Sequence, residues 1–152
     1  MGLFLSTAVN KVDKKGRVSV PSNFRNVISA LQFNGVILFP SHHYPCLEGF
    51  GIDYIQEISD RLDTFDLFSS EQDDLATTIF GESVQLPFDA DGRIILPQDL
   101  RHHADISDQA NFVGLGQKFQ IWHPDAFAKR KAESRKSVSS KSLTLPKGGR
   151  NG

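Results

Sequence analysis

The alternation of apolar and polar positions in residues 13–21 recurs in residues 89–97, a distance of 76 residues or half the chain. Both segments place Asp, Gly, Arg and Pro at the same internal positions, with apolar residues at the first and third positions after the Arg. The shared positions are Asp13, Gly16, Arg17 and Pro21 in the first segment and Asp89, Gly92, Arg93 and Pro97 in the second. Four residue types that each make up a few per cent of an average protein rarely repeat in this order by chance. The pattern therefore predicts two copies of one structural unit.

Each copy predicts two short strands that meet at a tight turn. Apolar and polar residues alternate around a Gly-Arg corner, which is typical of a small antiparallel hairpin. Gly16 and Gly92 allow the positive φ that such a corner often needs. Pro21 and Pro97 end the second strand, because proline has no backbone N–H to donate to a neighbouring strand. The alternative interpretation is a well-made turn with no further role.

A helix is predicted directly after each hairpin. Ser22 is the expected N-cap of a helix over residues 23–31, and Asp99 lies near the start of a shorter helix in the second copy. Each copy then continues into an apolar stretch, at residues 36–39 and 112–115. The two copies therefore match well beyond the nine-residue segment.

Between the copies, apolar positions recur at three- and four-residue steps, which predicts two amphipathic helices. The apolar face of the first consists of Ile52, Ile55, Ile58, Leu62 and Phe65, and that of the second of Leu75, Ile79 and Phe80. Ser70 and Asp73 stand in capping-box spacing at the start of the second helix. These faces either pack on the protein's own core or, with Phe65, Leu67 and Phe68, join neighbouring subunits head to tail.

Charge is distributed unevenly, although the formal net charge is only −1. Residues 1–25 hold five basic side chains against one acidic side chain, a net charge of +4. Residues 48–109 hold 15 acidic against three basic side chains, a net charge of −12. Residues 129–150 hold eight basic against one acidic side chain, a net charge of +7. Duplex DNA therefore attracts both ends of the chain and repels its middle.

The remaining composition favours a cytoplasmic protein. Cys46 is the only cysteine, which excludes an internal disulfide framework. The N-terminus lacks a charged segment followed by an apolar run, and no apolar stretch approaches the length that crosses a bilayer. We therefore expect neither export nor membrane association.

The duplicated segment, at this spacing, closely resembles that of the bacterial MraZ transcriptional regulators. The resemblance extends over about residues 4–128. In the second half it includes residues 114–116, which precede the apolar residues 119–122, and in the first half it includes residues 44–47 at the corresponding position. It also includes the helical stretch between the copies. It implies an α+β fold with a mainly β core. Two tandem swapped-hairpin units of the AbrB and SpoVT type would form an intramolecular pseudo-dimer barrel with flanking helices.

The same resemblance implies a function and partners. Proteins of this family assemble into rings and bind double-stranded promoter DNA at repeated boxes. They control the cluster of cell-division and cell-wall genes to which their own gene belongs. We therefore expect a sequence-specific regulator that represses its own promoter by occupying it and is located at the nucleoid in the cytoplasm.

The expected divisions are a first repeat and main DNA-facing half at 1–50, a helical linker at 51–78, a second repeat at 79–128 and a basic tail at 129–152. The tail begins as a helix at Pro124, which Phe127 docks on the body. From Lys129 onward Ser, Lys and Arg predominate, and this composition predicts disorder. The tail either holds DNA without sequence preference or serves only solubility.

Arg17 is the predicted main DNA contact, because its guanidinium can grip a phosphate or a guanine edge with two hydrogen bonds. The surrounding backbone contacts are assigned to Lys15, Lys14 and Lys11. The second copy replaces the lysine pair with Ala90 and Asp91, so the first copy is the better DNA-facing surface. Asp13 is expected to fasten the turn or orient Arg17. Arg93 has a weaker claim, since pairing with Asp89 or Asp91 is the simpler use of it.

No catalytic, metal or cofactor site is predicted, and no small-molecule substrate. Adjacent histidines, such as His42 and His43, point to opposite faces of a strand and rarely bind one metal. No Cys-x-x-Cys, His-Glu-x-x-His or phosphate-binding glycine loop is present. Two other binding functions stay open. One is an AbrB-like antitoxin-type regulator, and the other is a non-specific nucleoid-associated scaffold.

Overall fold

The structure is a computed structural model that describes residues 2–28, 32–66 and 68–147. The elements of the first copy are β1 (Thr7–Lys11), β2 (Arg17–Ser19), α1 (Ser22–Ile28), β3 (Gly35–Pro40) and β4 (Cys46–Phe50). Those of the second copy are β5 (Val84–Pro87), β6 (Arg93–Ile95), α4 (Gln98–His103), β7 (Gln109–Gly114) and β8 (Phe119–Trp122). Between the copies lie α2 (Ile52–Leu62) and α3 (Ser70–Ile79), and α5 (Pro124–Ser140) follows the second copy. The class is α+β, as the sequence predicts.

The strands form one antiparallel sheet in the order β1-β7-β8-β4-β3-β5. Within this six-stranded sheet, strands of one copy pair with strands of the other at three places, namely β1 with β7, β4 with β8 and β3 with β5. Exchanging each strand for its counterpart in the other copy gives the same order in reverse. The sheet topology is therefore symmetric about the junction of β4 and β8.

The sheet does not close into the predicted barrel. β1 and β5 are the edges of the sheet, and within the described residues no strand pairing joins them. The remaining strands, β2 and β6, are three residues long and pair with each other as a ribbon, which an isolated antiparallel bridge between Val12 and Val18 links to the end of β1. The ribbon lies over one face of the sheet, where β2 contacts the edge strand β1 and β6 contacts the edge strand β5.

The main core lies between the sheet and a layer made by the ribbon, α1 and α4. The ribbon contributes Val18 and Ile94, and the two helices contribute Phe24 and Leu100. β3 is buried on both faces, because Leu38 packs in this core while Ile37 packs in a cluster on the opposite face. A strand buried on both faces has a continuous apolar sequence instead of an alternating one.

The helices α2 and α3 cover part of the opposite face of the sheet, which confirms both predicted helices. Their residues Ile52, Tyr54, Ile55, Ile58 and Ile79 pack on the buried cluster of Ile37, Phe39 and Phe50. Much of the predicted apolar face therefore packs on the protein's own sheet. Phe65 and Phe68 remain exposed, whereas Leu67 lies outside the described residues.

Two predicted helix starts differ by one residue from the structure. Ser69, not Ser70, is the N-cap of α3, and its hydroxyl accepts a hydrogen bond of 3.1 Å from the Gln72 amide. Ser22 is the first helical residue of α1 and not its N-cap. Residues 29–31, the predicted end of that helix, lie outside the described residues. Asp99 lies in the first turn of α4, as predicted.

The helix α5 begins as predicted but continues further. His123 is its N-cap and accepts a 3.0 Å hydrogen bond from the Asp125 amide through Nδ1. The Phe127 ring packs 5.9 Å from the Trp122 ring, and the Arg130 guanidinium lies 4.5 Å from the centre of the Tyr44 ring. None of the described helices has the length and apolar character needed to cross a membrane.

The prediction of disorder is wrong for residues 129–140, which are helical. Lys, Arg, Ala and Glu are strong helix formers, and the serines among them did not outweigh this preference. The helix also has a defined end. Ser142 takes a φ of 50°, and the Leu143 amide donates to the Val138 carbonyl at 3.0 Å, as in a Schellman motif. The predicted disorder of residues 148–152 lies outside the described residues.

Candidate nucleic-acid interface

The carboxylate of Asp13 organises the first turn. Its Oδ1 accepts hydrogen bonds of 2.9 Å from the amides of both Lys15 and Arg17. Its Oδ2 accepts a 2.6 Å bond from Nε of the Arg17 side chain. Gly16 takes a φ of 86°, which lets the chain reverse between the two strands. One carboxylate therefore fixes both the turn and the direction of the arginine.

The second turn repeats this arrangement. The Asp89 carboxylate accepts bonds from the amides of Asp91 and Arg93 at 2.8 and 2.9 Å, and from Nε of Arg93 at 2.9 Å. Arg93 has one further contact, because its Nη2 lies 3.4 Å from Oδ2 of Asp91. The local pairing predicted for Arg93 is therefore present, and Arg17 has a matching pair with Asp13.

Both turn aspartates are ionised at neutral pH. Their pKa values lie below the ordinary value, chiefly because the backbone amide of the following arginine donates to each carboxylate. In the described part of the chain, Nε is the only side-chain nitrogen of Arg17 with a bonding partner. The two terminal nitrogens of its guanidinium are available to a ligand.

The ribbon sorts its side chains onto two faces. Val18 pairs with Ile94, and both face the core with 1% exposure. Residues on either side of this central pair face outward, because successive side chains of a strand alternate. The outer face carries Arg17, Ser19, Arg93 and Ile95. Diagonal neighbours on such a pair of strands have Cβ atoms about 7 Å apart. The two arginines are thus diagonal neighbours on one exposed face.

The two turns are held by the opposite copies. The Gly16 carbonyl accepts a 2.9 Å hydrogen bond from the Leu96 amide, and the Gly92 carbonyl accepts a 3.1 Å bond from the Val20 amide. A Cβ atom at position 16 would lie 2.8 Å from the Leu96 carbonyl oxygen. Each turn therefore depends on close backbone contact with the other copy.

Two further arginines support the ribbon, although the sequence analysis assigns them no role. Nε of Arg25 donates to the Val20 carbonyl and Nε of Arg101 to the Leu96 carbonyl, each at 3.0 Å. Arg101 also lies against Gly16, and Arg25 against Gly92. The two arginines occupy the same position in both copies, and this repetition in the sequence could have indicated a shared structural role. Their half-buried positions make them supports of the interface instead of contacts on it.

The predicted lysines fall in two places. Lys14 and Lys15 are exposed at the tip of the first turn, next to the end of the ribbon that carries Arg17. Lys11 lies at the end of β1, on the opposite face of that strand from Asn10. Asn10 is the residue that contacts the ribbon, through a 2.7 Å bond from its side-chain amide to the Ser19 carbonyl. The structure therefore groups Lys14 and Lys15 with Arg17 but not Lys11.

The other candidate chemistry does not form a site. Burial raises the pKa of the Cys46 thiol to about 12, so it stays protonated and unreactive at neutral pH. His42 and His43 are exposed in the turn after β3. In residues 2–28, 32–66 and 68–147, no group of three or more His, Cys, Asp or Glu side chains could hold a metal ion.

A buried polar network joins the two copies at the centre of the sheet, and sequence reasoning missed it. The Glu48 carboxylate on β4 accepts bonds from Lys118 at 2.8 Å and from Gln120 on β8 at 3.1 Å. Gln120 in turn accepts a 2.8 Å bond from the indole N–H of Trp122. The network pairs the buried Glu48 carboxylate with Lys118, because an unpaired charge is costly to bury. Its role is structural.

Comparisons with known proteins place the chain among bacterial regulators. A family model described as "MraZ protein, putative antitoxin-like" matches residues 79–145. The chain is 49% identical to the transcriptional regulator MraZ of Rickettsia akari (strain Hartford), over 95% of this chain and 97% of that protein. It is 50% identical to the protein of the same name from Rickettsia felis and 48% identical to that from Rickettsia canadensis, with the same coverage.

Proposed function

The chain belongs to the MraZ family of transcriptional regulators, and we propose that it binds double-stranded promoter DNA through the outer face of the β2–β6 ribbon. The observation that carries this proposal is the pair of arginines on that face, each oriented by an aspartate of its own turn. A two-stranded ribbon fits the major groove of B-DNA, where arginine can bind a guanine edge through two hydrogen bonds.

The end of the ribbon that carries Arg17 makes the principal contact. Lys14 and Lys15 adjoin it, whereas Ala90 and Asp91 adjoin Arg93. Each lysine that neutralises a phosphate releases condensed counterions and adds affinity, while Asp91 repels the backbone. Arg93 therefore contributes less than Arg17. Lys11 acts outside the ribbon face, as a separate phosphate contact.

The two copies act as one pseudo-dimer of swapped hairpins. Residues 1–50 and 79–128 are its two halves, joined by the linker at 51–78. Supporting this division, the first strand of each copy pairs with the third strand of the other, and the ribbon contains one strand from each. A single chain then presents the two-stranded surface that would otherwise need two subunits.

Several subunits act together as a ring. One ribbon face offers few positive charges, so a single subunit binds DNA weakly at cellular salt. Four aromatic and aliphatic side chains of the linker region remain exposed and can join subunits head to tail, namely Phe65, Phe68, Leu75 and Phe80. Repeated contacts along a promoter with repeated boxes raise the effective concentration of each successive ribbon.

The regulatory outcome is repression of the protein's own promoter and of the cell-division and cell-wall genes transcribed from it, at the nucleoid in the cytoplasm. An assembly that occupies a promoter obstructs RNA polymerase. The basic residues of α5 and of residues 141–147 add sequence-independent attraction to the same DNA.

Specific recognition predicts a large preference for one duplex. A duplex with the DNA upstream of the protein's own gene should bind about a thousandfold more tightly than a shuffled duplex of equal length and composition. Fluorescence anisotropy at physiological salt, with each duplex competing against the other, measures this ratio. Equal affinities would favour a non-specific nucleoid scaffold over a promoter-specific regulator.

Ring formation predicts a defined multimer in solution. Mass photometry or light scattering should give a single species whose mass is a whole-number multiple of the chain mass. Phe68→Ser should shift the population to smaller species, because Phe68 is 84% exposed and is one of the side chains proposed to join subunits. Leu145→Ser, at an equally exposed position of the tail, is the matched control and should leave the multimer intact. A monomer whose mass does not change with concentration would exclude the ring.

A further inference from the structure

Ile95 is an apolar side chain on an otherwise polar and charged face. It is 58% exposed, although it is a β-branched residue, at the end of β6 in the ribbon. Its neighbour Ile94 fills the core, so Ile95 must point away from it. Within the described residues it belongs to none of the hydrophobic clusters. Its exposure therefore has no explanation in the packing of the chain.

The register places Ile95 directly opposite Arg17. Their Cβ atoms are about 5 Å apart in such a pair, and the turn with Lys14 and Lys15 continues from the same end of the ribbon. The equivalent position of the first copy is Ser19, opposite Arg93 at the acidic end. The more basic end of the ribbon thus carries an exposed isoleucine beside its arginine, and the less basic end carries a serine.

We infer that Ile95 is a specificity-determining residue that contacts the 5-methyl group of a thymine beside the base pair bound by Arg17. The inference rests on the proposed function, because it requires the ribbon to lie in the major groove. The methyl of thymine is the one apolar group that base edges present there, and apolar side chains contact it. Isoleucine is stiff at χ1, so it offers a fixed methyl surface at little entropic cost.

Position 95 thereby distinguishes the two ends of the ribbon. At the Arg17 end, a guanidinium and an aliphatic side chain together select a G·C pair next to an A·T pair. At the Arg93 end, the Ser19 hydroxyl can donate to or accept from any base edge. A pseudo-symmetric ribbon consequently reads an asymmetric sequence and sets the direction in which each subunit lies on the DNA.

The experiment is a double-substitution cycle on the promoter duplex used to measure specificity. Deoxyuridine replaces thymine in the repeated boxes, which removes only the methyl groups, and Ile95→Ser places at position 95 the residue that the first copy already has at position 19. For the unaltered protein, loss of the buried methyl contact should weaken binding about fourfold for each box that a subunit occupies. The Ile95→Ser variant should bind the thymine and uracil duplexes equally.

Leu115→Ser is the control, because Leu115 is 49% exposed in the turn between β7 and β8, away from the ribbon. That variant should keep the thymine preference. If the Ile95→Ser variant keeps the full preference for the thymine duplex over the uracil duplex, the inference is wrong. A smaller multimer together with that unchanged preference would show that Ile95 contacts a neighbouring subunit instead. Loss of promoter binding in Arg17→Ala, measured alongside, would show that the ribbon function stands even when this inference fails.

Discussion

Replacing Arg17 with alanine is expected to abolish specific promoter binding and leave the multimer intact. Its Nε lies 2.6 Å from the Asp13 carboxylate, and within the described residues its two terminal nitrogens have no partner, which leaves them for a guanine edge in the proposed complex. One such bidentate contact contributes about 1–3 kcal/mol. If the contact recurs in each subunit of the proposed multivalent assembly, the loss should exceed about a hundredfold at physiological salt.

Anisotropy with labelled promoter duplex measures this effect, with mass photometry of the same sample as the check on assembly. Arg93→Ala should weaken binding less, since the Arg93 guanidinium also pairs with Asp91. Arg61→Ala removes an equal charge from the exposed surface of α2 and should leave affinity nearly unchanged. Full affinity of the Arg17→Ala protein would show that the DNA-binding face lies elsewhere.

Replacing Gly16 with alanine is expected to produce the largest loss of stability among single changes in the turn. Two effects add at this position. The φ of 86° is strained for any residue with a Cβ, and that Cβ would lie 2.8 Å from the Leu96 carbonyl oxygen of the other copy. We expect the free energy of unfolding to fall by about 3 kcal/mol, since strain of this kind costs about 1–3 kcal/mol before any clash.

Gly116 provides the matched control. Its φ of 88° is nearly the same, but a Cβ there would have no heavy atom within 4 Å in the described structure. Gly116→Ala should therefore cost only the backbone strain, about 1 kcal/mol. Urea unfolding of both variants at equal protein concentration separates the two effects. Equal losses would mean that contact between the copies does not hold the turn.

The local structure of each copy could be predicted from its sequence. The repeated Asp, Gly, Arg and Pro positions predict the turn, its flanking strands and the following helix, because these residues act on the nearest few neighbours. The resemblance carried by the same residues is confirmed by relatives about half identical to the chain. Membership of a family of transcriptional regulators also confirms that the chain is not an enzyme.

The pairing between copies could not be predicted from the residues alone. Whether Gly16 meets Leu96 of the other copy depends on contacts about 80 residues apart, and a strand pattern gives the face of a side chain but not its partner strand. In the sequence, Ile95 is one of three consecutive apolar residues before a proline, and nothing there distinguishes it from Ile94 and Leu96. Only the pairing of β2 with β6 places it beside Arg17 on the outer face.

Helix α5 shows a different limit. Its composition suggested disorder from Lys129 onward, but a docked first turn supplies the nucleus that an isolated helix lacks. Phe127 and Arg130 anchor that turn on Trp122 and Tyr44, and the helix then extends through good helix formers. Anchoring of this kind cannot be read from the local composition.

The proposed function requires the outer face of the ribbon to contact DNA. A structure of the multimer bound to its promoter duplex, by cryo-electron microscopy or crystallography, tests this most directly. We predict that β2 and β6 lie in the major groove, with the Arg17 guanidinium within about 3 Å of a base edge or phosphate oxygen. A structure in which Arg17 and Ile95 are instead buried at a junction between subunits, away from the DNA, would contradict it.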